Sequence, residues 1–153
     1  MADKKISALS SATVPLAGTE VLPIVQSGAT VKVSANGLFN NPTVTNYVEA
    51  VVVIGTVTSA STLALTNGTV QTATLTASTA CTFTMPANVA GKSFVLLLKQ
   101  AAATGNGTAT FTNVKWGSSG APTITATAGK MDILTFIADG TNWYGSIAQG
   151  YTP

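Results

Sequence analysis

Val70-Gln71-Thr72-Ala73-Thr74-Leu75-Thr76 alternates without a break. Val70, Thr72, Thr74 and Thr76 fall on one side of an extended chain, and Gln71, Ala73 and Leu75 on the other, because successive strand side chains point to opposite faces. β-Branched residues suit a pleated, half-buried surface. Asn67-Gly68 stands just before this run. With Ser61–Thr66 on its other side it predicts a tight hairpin, since Gly accepts positive φ without penalty.

The same texture extends outward from this point. Tyr47–Val57 is dense in Val and Ile. Further strands are expected near Ala80–Met85, Ser93–Gln100, Thr108–Trp116, Thr123–Thr127, Met131–Ala138 and Thr141–Ile147, with Asp139-Gly140 as a second tight turn. Short strands at even spacing, bounded by Gly, Pro or Asn, predict an all-β domain: an antiparallel β-sandwich or jelly roll in preference to a parallel α/β sheet. That domain is expected to span 45–153. No heptad seam is present, so a coiled coil is not expected.

Toward the N-terminus the pattern changes. Val21–Gln26 and Ala29–Ser34 flank Ser27-Gly28, which predicts a hairpin, with Pro23 confining its strand to an edge or interruption. Ser34 is placed to cap a short helical turn through Ala35–Phe39 before Asn40-Asn41-Pro42 breaks the chain. Residues 1–19 have no sustained period, and Pro15 and Gly18 disfavour a helix. Ile6, Leu9, Val14 and Leu16 recur along this stretch, which reads as an extended arm docking onto a partner or folding back onto its own domain. Residues 1–40 are therefore expected to form an arm and hairpin separate from the β domain.

Composition narrows the function. Of 153 residues only 8% are charged, against roughly 25% in an average soluble protein. Thr, Ala, Ser, Gly and Asn take their place, as suits a chain that covers much of its surface with copies of itself or a partner, more than a monomer with a Thr-rich coat. There is no His and no Arg. The usual general base, the commonest metal ligand and the bidentate phosphate clamp are all missing. The acids Asp3, Glu20, Glu49, Asp132 and Asp139 form no close pair in sequence. No enzyme activity, cofactor or metal is expected. Thr104-Gly105-Asn106-Gly107 lacks the Lys and following helix of a phosphate loop and reads as a hairpin tip.

The net charge of +2 comes with scattered lysines rather than a basic stripe, so nucleic acid is not an expected partner. Cys81 stands alone on an alternating run and reads as a small strand residue, not a reactive thiol. No signal peptide is visible, and Ala50–Ile54 is far shorter than the roughly 20 apolar residues of a spanning helix. Synthesis in the cytosol and no membrane partner are expected.

Lys5-Ile6-Ser7-Ala8-Leu9, Ala17-Gly18-Thr19-Glu20 and Leu22-Pro23-Ile24-Val25-Gln26 resemble the N-terminal attachment segment of many tailed-phage virion proteins, a likeness covering about residues 4–39. Asn67–Thr72, Phe83–Pro86, Ala90–Phe94, Phe111–Trp116 and Asp139–Gly145 resemble a β module of tail-fibre ends and head-associated phage proteins. The resemblance implies a homotrimer on the virion exterior, attached to the major capsid protein or another virion protein, with Ile6, Leu9, Val14 and Leu16 as attachment residues. Fibres carry a long shaft between anchor and tip, whereas here the two parts abut. A knob of that kind fits a capsid decoration or cement protein, with a short tail fibre or baseplate protein contacting host glycans as the alternative. Trp116, Trp143 and Tyr144 are the glycan or interface aromatics. Of the adjacent pair Trp143 and Tyr144, one must face the core.

Overall fold

The computed structural model describes residues 19–40, 43 and 45–153. These divide between Tyr47 and Val48 into two compact units.

In the first unit, β1 (Val21–Gln26) pairs antiparallel with β2 (Ala29–Ser34), in the register Val21↔Ser34 to Gln26↔Ala29. The turn is the expected Ser27-Gly28, with φ of 51° and 79°. Two positive φ values give a twist that matches the flanking strands. Helix α1 (Ala35–Phe39) follows at once. Its first turn leaves backbone donors unpaired, and the Ser34 hydroxyl accepts from the Gly37 amide at 3.1 Å, as a capping residue should. Val21, Leu22, Val25 and Leu38 remain exposed in this unit.

The second unit is all β, as expected, but its strands are not arranged as an antiparallel sandwich. Three rungs succeed one another. The first is β3 (Val51–Val57) with β4 (Ala60–Thr62), the second β5 (Val70–Leu75) with β6 (Ala80–Thr84), and the third β7 (Ser93–Lys99) with β8 (Thr108–Phe111). The first strand of each rung lies parallel to its counterpart in the next, and so does the second: β3-β5-β7 in one sheet and β4-β6-β8 in another. The result is solenoid-like. The larger sheet is completed by β9 (Val114–Lys115), β10 (Met131–Ala138) and β11 (Trp143–Tyr151), in the order β3-β5-β7-β10-β11-β9. Here β10 is antiparallel to both β7 and β11.

Asn67-Gly68 therefore does not close a hairpin. It lies on the link that carries the chain from the small sheet back to the large one. Gly is needed there for closeness of approach: a Cβ on Gly68 would sit 2.2 Å from the Ala50 carbonyl oxygen. The rungs are set apart from hairpins at their corners. Only Thr58 and Ser59 separate β3 from β4, and the chain turns from one sheet to the other instead of folding back beside itself. Two expected strands also change. Thr123–Thr127 joins no ladder, and Thr108–Trp116 is broken at Asn113, where φ is 57°.

The two sheets share one core, built from Leu75, Phe94, Leu96, Leu98, Leu134 and Phe136 of the large sheet against Cys81 and Phe83 of the small one. Phe94 stacks on Phe136 at 4.8 Å and meets Trp143 edge-on at 5.3 Å. Such pairs add directional packing to the area they bury. Buried polar groups are used as cross-ties. Gln100 Nε2 donates to the carbonyls of Gly107 and Thr125, both at 2.8 Å, and its Oε1 accepts from the Gly107 amide. Asp132 accepts from the amides of Thr125 and Gly150, tying the Thr123–Thr127 segment and the end of β11 to β10.

Candidate functional site

Trp143 opens β11 and is fully buried, its Nε1 donating to the Pro86 carbonyl at 2.8 Å. Its ring reaches no surface, so it is a core residue and not a glycan-contacting one. Strand alternation sends Tyr144 the other way, onto the outer face of the large sheet, where it is exposed.

The Tyr144 hydroxyl donates to Asp139 Oδ2 at 3.0 Å. Asp139 Oδ1 accepts from the amides of Thr141 and Asn142, both at 2.7 Å, which fixes the turn between β10 and β11. These donors favour the ionised carboxylate. Asn142, Thr141 and then Tyr144 hold the Asp139 carboxyl below the usual carboxylate range. In return the hydrogen bond to Asp139, and then its charge, push the Tyr144 phenol upward.

Trp116 follows β9 and is half-buried on the inner side of the sheet, edge-on to Phe111 at 5.9 Å and to Phe136 at 6.0 Å. A groove of about 470 Å³ opens beside it, lined by Trp116, the Gly117–Thr123 loop, Gly145 and Ser146. Trp116 and Tyr144 thus face opposite sides of the sheet, and the three aromatics singled out by sequence do not converge on one site. The attachment residues Ile6, Leu9, Val14 and Leu16 lie outside the described residues.

A further surface was not anticipated. The outward side chains of the large sheet fall into registered rows: Val51, Val70, Val95, Thr135 and Ser146 in one, and Val53, Thr72, Leu97, Ile133 and Ala148 in the next. Ile137 and Tyr144 extend this face at one end, Met131 and Tyr151 at the other. Val51, Val53, Ile137, Tyr144 and Tyr151 are exposed. The sequence signal was Phe94-Val95-Leu96-Leu97-Leu98, apolar at every position where a strand with one wet face would alternate.

Among the described residues no cluster of three His, Cys, Asp or Glu could hold a metal, and no helix is long and apolar enough to cross a membrane. Cys81 is buried, its Sγ donating to the Val57 carbonyl at 3.2 Å. No protein-family model, curated protein or solved structure matches the chain.

Proposed function

We propose that this chain is a non-enzymatic structural protein of a tailed-phage particle, a capsid decoration or cement protein that binds and stabilises the head shell as a homotrimer. Its N-terminal 1–40 attaches to the major capsid protein or another virion protein, and the β unit stands on the particle exterior. The reading rests on the resemblance over residues 4–39. The observation that carries it furthest is the broad, almost uncharged outer face of the six-stranded sheet, a surface suited to permanent protein contacts and to no small-molecule chemistry. Attachment by several weak apolar contacts becomes stable when three linked chains engage together.

Cryo-electron microscopy of the intact particle tests this. Knobs of three copies spread over the shell are the expected result, and density confined to the tail would overturn the decoration role. The groove beside Trp116 favours one second reading: a short tail fibre or baseplate protein whose indole and loop hydroxyls contact a host glycan. Particles carrying Trp116→Ala would then lose adsorption to host cells, and undiminished adsorption would remove that reading.

A further inference from the structure

We propose that the outer face of the six-stranded sheet is where copies of this chain meet. The contact is isologous, one face used by both copies, so it pairs copies two by two and goes beyond the homotrimer reading, whose threefold contact needs another surface.

The first argument is the character of the sheet. Strands β3 (Val51-Val52-Val53-Ile54) and β7 (Phe94-Val95-Leu96-Leu97-Leu98) are apolar at successive positions, the pattern of strands covered on both faces. Here the inner face packs on the core, while the outer face presents Val51, Val53, Val95, Leu97, Ile133 and Ile137, with Pro153 at the chain end lining the hollow beside Val53, Leu97 and Met131. Val53 is 76% exposed and Ile137 55%.

The second argument is size. Five strands at about 4.8 Å and seven residues at about 3.3 Å give a face of roughly 24 by 23 Å, or ~550 Å² in projection. Side-chain relief raises the accessible area above that figure. It therefore reaches the ~600 Å² per partner at the lower end of specific interfaces.

The third argument is charge, which selects a second copy over an unrelated partner. Glu49 borders the face at one end, beside Thr69, Ser93 and Thr135, and accepts from the Thr69 hydroxyl. Lys99 borders it at the other end, beside Thr74 and Met131. The Glu49 end also carries Asp139, bonded to Tyr144, together with Lys92 beside Ser93 and Lys115 in register with Tyr144, so it is mixed in sign. With Glu49 toward one end and Lys99 toward the other, two copies packed head to foot place Lys99 of one over Glu49 of the next. Between these ends the rows are uncharged. A hollow of about 280 Å³ lined by Val53, Thr72, Leu97 and Met131 offers room for an aliphatic side chain from the other copy.

The experiment is sedimentation velocity on the full chain at micromolar concentration, with circular dichroism to verify folding. The wild type is expected to self-associate. Val53→Asp, exposed on an edge strand and outside the core, places an unpaired carboxylate in the apolar contact and should weaken association at least ~10-fold. Glu49→Lys and Lys99→Glu should each weaken it, and the double exchange should restore it. A wild type that stays monomeric, or one whose association survives Val53→Asp and both single charge changes, would overturn the proposal. Its failure is separable from failure of the virion reading, because particle microscopy locates the protein regardless of which face associates.

Discussion

The indole of Trp116 lies directly on the α-carbon of Gly145, so that a methyl group there would fall 2.5 Å from the ring. The six-membered edge of the indole thus occupies the space that any other residue's side chain would take, and the inner face of β11 is shaped by an absence.

Gly145→Ala is therefore expected to displace Trp116 and loosen its contacts with Phe111 and Phe136. Overpacking of this kind costs about 1–3 kcal/mol. Urea denaturation should report that loss, together with a shift in tryptophan emission. An unchanged midpoint would mean that Trp116 is not held against Gly145.

Gln100 predicts a different kind of loss. Gln100→Leu keeps bulk in the core but strips partners from the Gly107 amide and the Gly107 and Thr125 carbonyls. Each buried group left unpaired costs about 1–3 kcal/mol. We expect a larger drop in stability than for Gly145→Ala, with faster hydrogen exchange at the Gly107 amide. Exchange as slow as wild type would refute the cross-tie.

The turn between β10 and β11 should respond to pH at both extremes. Asp139 has a depressed pKa in the folded state, so its contribution is present above the unfolded carboxylate range and is lost as pH falls through the lower folded value. Tyr144 has a raised one, so its contribution is present below the ordinary phenol range and is lost as pH rises through the higher folded value. Because both groups are exposed, solvent screening keeps the effects small. Carbon-detected NMR titration should show Asp139 ionising below the other exposed carboxylates, and Asp139→Asn should return the Tyr144 phenol toward its ordinary value.

Cys81 is expected to be inert in the folded protein. The thiol is buried and its Sγ is bonded to the Val57 carbonyl. A thiol reagent should react only as fast as the chain opens, and modification should accelerate in step with added urea. Rapid reaction in native buffer would contradict the buried placement.

Much of the local structure was legible from residues alone. Ser27-Gly28 and Asp139-Gly140 named their turns, because only a few residue types accept the backbone angles such turns need. Ser34 announced its helix cap because its hydroxyl can accept from a first-turn amide. The opposition of Trp143 and Tyr144 followed from the period of a strand, although which ring was buried did not. Asn67-Gly68 carried the same hairpin signal as the true turns, yet it lies on a link between sheets. A local dihedral preference cannot state which strand the chain will meet next.

The amino-acid sequence by itself determined that this chain is β-rich and that it carries little charge. Alternation and turn chemistry act over two to four residues and are written locally. Only the tertiary structure decided that the strands stack as parallel rungs, that Gln100 and Asp132 tie segments far apart in sequence, and that Val53, Leu97 and Ile133 share one outer face. Alternation is satisfied equally whether a strand folds back beside its predecessor or crosses to a facing sheet. The choice between them is made by packing between residues distant along the chain: Phe83 on Phe111, and Phe94 on Phe136 and Trp143.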